Sequence, residues 1–388
     1  MKKLSLSLAL ALSFALAQAQ SSVTIYGILD VGYIGTSYTG TGTSATTKQV
    51  NNTFGQSAQQ TSRLGFKGTE DLGNGTSAFF TIETGLNPDN STVSTFNNRQ
   101  SFVGIKQNGL GSVAIGTQYT AIYKAVMQTD AAQYTNLVGD VITPSSPQAV
   151  GNSGTGPYAS ASSSSGSTDA YTVRTANTIS ATTETVNGLT GTAFYTANNQ
   201  NSTQTSATAG GQNNSNGWGL GINYEWQKLF VTANYQALKN NTTGTLTSPT
   251  PALWTTASGG VNTQDNQTYV AGTYDFGILK TYAQWINRKA TDTINTGYYA
   301  NRTAQQLGVR GFFTPVIESW ASAGNGRVTA FGSGQPTANF IGYQLGSNYW
   351  LSKRTNLYAI YGHSQTSSVT QIPAVASSNY ALGVRHTF

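Results

Sequence analysis

Cysteine is absent from the 388 residues, which excludes disulfides, thiolate metal sites and a cysteine nucleophile. Histidine is nearly absent: His363 and His386 are too few for a histidine-rich metal site within one chain, and a Ser-His-acid triad would have to rest on one of these two. Charge is scarce too. Only 9% of residues are Asp, Glu, Lys or Arg, far below the ~25% of ordinary soluble domains. No run of Lys and Arg occurs, which argues against a nucleic-acid partner. The glycine-rich stretches lack the Lys-Ser/Thr pair of a phosphate cradle. Past the first 20 residues there is no long apolar run, and the mean hydropathy is −0.27, so the chain is not a helical membrane protein. Nothing repeats at a fixed period of the kind that marks a solenoid.

What is present begins with a leader-like segment. Met1-Lys2-Lys3 precedes an apolar stretch from Leu4 to Ala17 and then Ala17-Gln18-Ala19. A positive start, an apolar middle and an A-x-A site are expected of a secretory signal peptide over residues 1–19, leaving residues 20–388 as a single domain. Removing Lys2 and Lys3 leaves 20 − 2 = 18 basic against 14 acidic residues, a net charge of +4.

The remainder is rich in Gly (43) and Tyr (21), with abundant Thr, Asn and Ser, a composition suited to short strands and turns. Alternation of period two recurs along it. Val23, Ile25, Leu29, Val31 and Tyr33 share one face of the first segment, with Thr24, Tyr26 and Asp30 on the other. Arg63, Gly65 and Lys67 form the polar face of the next. Trp218, Leu220, Ile222, Tyr224 and Trp226 line one face of a later one. Sixteen such segments can be counted, the one at 318–330 being the weakest. Short turns at 70–75, 107–111, 226–228, 275–277 and 352–354 alternate with long polar loops at 36–60, 86–98, 119–170, 198–216, 239–265 and 290–302. In the last nine residues Tyr380, Leu382, Val384, His386 and Phe388 share a parity, opposite Ala381, Gly383, Arg385 and Thr387. A bare aromatic sheet edge is a liability in water. It is accounted for if this segment pairs with the first and closes a barrel in lipid, where no edge is tolerated. The pattern predicts an all-β fold: an antiparallel transmembrane β-barrel of 16 strands with short periplasmic turns and long external loops. A secreted β-sandwich or solenoid is the competing reading.

Five blocks carry a resemblance. Gln20-Ser-Ser-Val-Thr-Ile-Tyr-Gly-Ile-Leu-Asp30, Ser62-Arg-Leu-Gly-Phe-Lys-Gly-Thr-Glu-Asp-Leu-Gly73, Arg99-Gln-Ser-Phe-Val-Gly-Ile105, Leu351-Ser-Lys-Arg-Thr-Asn-Leu-Tyr358 and Gly383-Val-Arg-His-Thr-Phe388 occur in this order. Together they resemble the general diffusion porins of β-proteobacteria, the neisserial and Burkholderia-type family. The resemblance implies a homotrimer in the outer membrane, a third external loop folded into the pore, and passive passage of small hydrophilic solutes without a cofactor. It also implies contact with outer-membrane lipid and lipopolysaccharide and with the assembly machinery. One departure stands out: the family often carries Arg in a Gly-Arg-Gln-Tyr stretch where this chain has Gly116-Thr117-Gln118-Tyr119.

The expected pore constriction follows from parity and resemblance together. Lys67 shares the polar parity of Arg63, and Arg63 matches a basic position of the family's constriction. Arg99 and Arg174 also match family positions. Strict parity with Val103 and Ile105 would turn Arg99 outward, so it is expected beyond the membrane band or after a bulge. The opposing acids are expected to be Asp130 and Asp140 on the third loop, with Glu83 on a lumen face. A mild anion preference follows from this basic wall and the +4 charge. Asp30 and Arg385 are expected to pair across the closure seam. Tyr380, Leu382, Val384 and Phe388 are expected to be read by the assembly machinery through β-augmentation. The rival functions are a substrate-specific channel, a loop-borne adhesin on a barrel, and an outer-membrane hydrolase. For the last, both histidines fall on lipid- or girdle-facing parity.

Overall fold

The structure, a computed structural model, describes residues 22–41, 46–89, 99–143, 171–206, 209–242, 263–293, 296–332, 337–367 and 375–388. The signal-peptide segment, most of the 86–98 and 239–265 loops and the later part of the third loop lie outside these residues. The elements run β1 (Ser22–Thr41), β2 (Thr46–Gln56), β3 (Arg63–Gly73), β4 (Thr76–Gly85), β5 (Ser101–Gln107), β6 (Gly111–Tyr119), α1 (Ala121–Thr129), β7 (Arg174–Thr183) and β8 (Leu189–Ser206). They continue with β9 (Ala209–Trp226), β10 (Leu229–Thr242), β11 (Thr263–Asp275), β12 (Lys280–Asp292), β13 (Tyr299–Thr314), β14 (Ile317–Phe331), β15 (Ala338–Trp350), β16 (Thr355–Thr366) and β17 (Val375–Thr387).

These 17 segments make a barrel of 16 strands, because β2 and β3 are two parts of one interrupted strand. Both lie on the same side of β1: Val31 pairs with Gln56, and Ile28 with Arg63. On its other side β1 pairs with β17, Asp30 opposite Arg385, and this closes the ring. The Phe388 backbone exchanges two hydrogen bonds of 3.1 Å with Gly27 at the foot of the seam. The weak segment at 318–330 is a full strand, β14.

Alternation places side chains inside out relative to a water-soluble protein. Leu220 is 54% exposed, Val103 55% and Leu382 57%, all on the outer face, whereas Arg288 and Arg302 are 1% exposed on the inner face. An apolar row of that exposure needs an apolar surrounding, since each Å² left in water forgoes roughly 25 cal/mol. The periplasmic ends turn tightly. Asn74 and Gly75 both take positive φ, 53° and 75°, the geometry of a two-residue hairpin turn.

The sequence-based boundaries need two corrections. Most of the polar loop expected at 36–60 is strand, since β1 runs to Thr41 and pairs there with β2. Of the loop expected at 198–216, the described residues are strand: β8 and β9 pair out to Ser206 and Ala209. Above the lipid band a strand has no apolar face to declare, so its Asn, Ser and Thr read as loop. Strand length also divides the barrel. β3 to β7 have 7 to 11 residues and β8 to β14 have 13 to 18, so one side of the wall is low.

Candidate functional site

The lumen is divided by the third loop. β6 ends in an irregularity at Gly116, whose φ is 137°, and the register shifts before Gln118. A Cβ at Gly116 would meet the Ser101 carbonyl at 2.2 Å, so only glycine fits. Thr120 then caps α1, accepting from the Tyr123 amide at 3.2 Å. The buried face of α1 packs Ile122 and Val126 against Tyr269, Ala271 and Ile286 of the inner wall.

Residues 130–143 continue as a strap along the wall. Inward-facing glutamines hold its backbone. Gln344 donates to the Leu137 and Val138 carbonyls at 2.8 and 3.0 Å and accepts from Thr135 at 2.9 Å. Gln306 accepts from the Val141 amide at 3.0 Å. Arg310 donates to the Ala131 carbonyl at 2.8 Å, and Arg302 to the Val141 carbonyl. Asn136 reaches the interruption between β2 and β3, donating to the Ser57 carbonyl at 2.6 Å. Each bond contributes about 1 kcal/mol net, but leaving the buried groups unmet would cost more.

Glycines on the inner wall make room for this path. A Cβ at Gly308 would meet the Ala131 side chain at 2.6 Å, and one at Gly342 the Gly139 carbonyl at 2.5 Å. Of the described strap residues, Lys124, Gln128 and Gln133 are exposed.

Facing the strap is a basic wall. Arg63 and Lys67 lie on β3 with the Tyr26 ring between them over Gly65, where a Cβ would stand 2.2 Å from the ring. The Lys67 ammonium is 5.5 Å from that ring centre. Tyr26 donates to Glu83 at 3.1 Å, and Tyr119 donates to Glu83 at 2.9 Å. Arg99, just before β5, donates to both Glu83 and Tyr119. Its position ahead of the strand resolves the parity conflict. Arg174 lies 5.6 Å from the Tyr119 ring centre. The structure therefore brings Arg63, Lys67, Arg99, Arg174 and Glu83 together around two tyrosines.

Asp130 and Asp140 are elsewhere. They are 1% and 3% exposed, turned into the strap rather than towards the opening. Asp130 accepts from the Ala132 and Tyr134 amides at 3.1 and 2.6 Å, and Asp140 from Ile142 and Thr143 at 2.7 and 3.1 Å. An acid beside free amides of a tight turn satisfies them first, which removes both carboxylates from the expected role opposite the wall. Burial and the neighbouring Asp140 push the Asp130 carboxyl up to about 7.

The Asp30–Arg385 ion pair is also corrected. The two residues are in register, but Asp30 accepts from the Gln59 and Gln60 amides and from Tyr358 at 2.8, 2.6 and 2.6 Å. Arg385 instead donates to Asn356 at 3.0 Å and lies over Trp350. Here the strand interruption at 57–62 supplies unpaired amides that compete for the carboxylate.

A family profile described as Gram-negative porin matches residues 6–368. The chain belongs to the Gram-negative porin family. An outer membrane porin protein of Bordetella pertussis is 27% identical, over 95% of this chain and 94% of its own length. Outer membrane porin protein 32 of Delftia acidovorans is 38% identical over 99 residues, 25% of this chain and 26% of its own. The anion-selective porin from Comamonas acidovorans has the same fold, with a TM-score of 0.69 at 20% identity over 95% of this chain and all of that one. This porin is thus an outer-membrane diffusion channel, its barrel spanning the membrane and its inserted strap narrowing the lumen.

Several residues of the porin lumen carried no local signal. Arg288 binds Asp265 at 2.6 Å and Arg310 binds Glu318 at 2.6 Å, both pairs buried on the inner wall. Gln236, Gln267, Gln284, Gln306 and Gln344 are buried there as well. Their shared inward parity was readable from the sequence. The strap they serve was not, because nothing in β10 to β15 encodes which loop will lie against them.

Proposed function

We propose that this porin is a mildly anion-preferring channel whose constriction lies between the Arg63–Lys67 wall and the strap. One observation carries the reading. Among the described residues, Asp30, Glu83, Asp130, Asp140, Asp265 and Glu318 are all buried and take hydrogen bonds from the protein. Among the same residues, Arg63, Lys67 and the strap's Lys124 have no carboxylate within ion-pair distance. The acids' charge is spent internally and these cations face water, so a permeating anion meets the field first. Arg99 and Arg174 add to that field, and Glu83 orients the wall.

The same reading extends to the whole protein. Residues 1–19 act as the signal peptide, and residues 20–388 as the porin domain. Three copies associate through the low wall, where Ile82, Val103 and Ile105 are 43%, 55% and 57% exposed. Tyr380, Leu382, Val384 and Phe388 present the strand read by the assembly machinery. The channel performs no catalytic step and uses no cofactor.

The test is a planar bilayer under a KCl gradient. The wild type gives a reversal potential of anion-selective sign in conductance steps of three, and Arg63→Glu/Lys67→Glu moves it towards cations. An unchanged reversal potential in the double variant would remove these residues from the constriction. A wild-type potential of cation-selective sign would overturn the preference while leaving the channel.

A further inference from the structure

Two opposed rims bound the opening, and their heights match. Glu83 pairs in register with Gly65, between Arg63 and Lys67 on β3. Tyr119 donates to Glu83 at 2.9 Å, and its ring lies against Tyr123 of α1 with centres 4.3 Å apart. The next residue is Lys124. With β2 and β3 counted as one strand, β11 is eight strands from β3 in both directions round the ring, directly across the lumen. The helix α1 leans on that far wall: Ile122 and Val126 pack on Tyr269 and Ala271 of β11 and Ile286 of β12. Lys124 is two residues from each of them, about 200° round a helix of 3.6 residues per turn. Its side chain therefore points away from β11 and towards β3. Gln128 follows it on the same face, and both are exposed.

Among the described residues no carboxylate answers these cations across the gap. Between Thr120 and Ala170 the chain has one base, Lys124, and three acids, Asp130, Asp140 and Asp169. Asp169 lies outside the described residues. Asp130 and Asp140 are buried in the strap's own turns. On the other rim Glu83 is covered by Arg99, Tyr26 and Tyr119. The described rims thus carry the same sign on both sides. A cation facing an acid sets up a field across a pore, because the two contributions add. Two facing cations set up fields of opposite direction, which largely cancel between them, while their potentials add. A net charge responds to the potential; a dipole is oriented only by a field.

We propose that Lys124 is a specificity-determining residue that makes the constriction sort solutes by net charge and not by dipole. A zwitterion then passes no faster than an uncharged solute of the same size. The proposal rests on the reading that places the constriction between the Arg63–Lys67 wall and the strap, and it adds the class of solute that this constriction does not favour.

The experiment uses the full-length folded porin in liposomes and compares swelling in γ-aminobutyric acid and γ-hydroxybutyramide. These are isomers of equal mass, one zwitterionic and one without charges. The wild type should swell at nearly equal rates in the two. Lys124→Glu places an acid opposite the wall and should favour the zwitterion by roughly threefold, somewhat less than a unit-charge contact in water would give. Lys124→Gln should fall between. Arg63→Glu/Lys67→Glu should also favour the zwitterion, and combining it with Lys124→Glu should restore near-equal rates, an outcome that a merely structural role for Lys124 would not produce. A wild type that separates the isomers as strongly as Lys124→Glu would overturn the proposal. So would near-equal rates in both. If Lys124→Glu does not assemble, Gln128→Glu on the same helix face should shift the ratio in the same direction, and an unchanged ratio there would overturn it. The KCl reversal potential of the same preparations tests the underlying reading separately. A potential unchanged by Arg63→Glu/Lys67→Glu would take the wall out of the constriction, whatever the isomer ratio.

Discussion

Substituting Gly362 by alanine should narrow this channel without touching any charge. Gly362 faces inward on β16, and a Cβ there would stand 1.8 Å from the Val138 carbonyl oxygen and 2.9 Å from its carbon. An ordinary carbon–oxygen approach is about 3.3 Å, so the strap must retreat by roughly 1.5 Å. The atom in the way is backbone, and no rotamer relieves it. The retreat also pulls Val138 and Leu137 from the Gln344 amide, now at 3.0 and 2.8 Å, which costs about 1 kcal/mol for each bond. That sum is too small to unfold a barrel. The wall stands behind the strap, so the strap moves into the lumen. Single-channel recording of Gly362→Ala should show a smaller conductance with the sign of ion preference kept. Gly272→Ala is the internal control: its Cβ would face outward, with its nearest neighbour, the Phe230 carbonyl, at an ordinary 3.5 Å. It should conduct as wild type. Wild-type conductance from folded Gly362→Ala protein would refute the docking of the strap on β16.

Three further outcomes are expected. Arg99→Leu leaves Glu83 buried without its cation, both side chains being only about 5% exposed; heat or urea denaturation should show a loss of roughly 3–5 kcal/mol, partly restored in Arg99→Leu/Glu83→Gln. The Asp130 carboxyl titrates near 7 in the strap against an ordinary 3.8. Its folded pKa is raised, so strap docking is strongest below about pH 4 and weakens as pH rises to 7. Protection of the Ala132 and Tyr134 amides, with the intrinsic pH dependence of exchange divided out, should therefore fall between pH 5 and pH 8 in wild type, and Asp130→Asn should flatten that trend. Deleting Phe388, whose backbone closes the seam on Gly27, should lower the amount of assembled barrel while secretion continues. Normal assembly would deny it a role as a signal.

Much of the architecture was legible because a strand records its two surroundings in alternate residues. Leu220, Ile222 and Tyr224 announce lipid; Arg63 and Lys67 announce water. Turn chemistry at Asn74-Gly75 fixed one end of the barrel. The reading weakened where a strand leaves the lipid band, as at 198–216, because polar residues on both faces resemble a loop. For the site, the basic wall could be assembled from parity and resemblance, and its tyrosine spine was visible in part as Tyr26. The strap was not. Inward glycines such as Gly342 and Gly362 were the available sign, since glycine inside a strand often marks the close approach of another backbone.

Sequence alone therefore determined the barrel, its inside-out polarity and the side of the sheet on which Arg63 and Lys67 stand. These are near-neighbour properties, written in the period of the chain and enforced by a solvent that differs across the sheet. Tertiary structure alone decided which carboxylates remain free to act on a solute. Asp130 and Asp140 were drawn into the strap by its own turn amides, and Asp30 by the amides at the break before β3. A charge's availability depends on which donors the folded chain brings beside it, and those donors lie far away in sequence or in turns whose geometry only the docked loop defines.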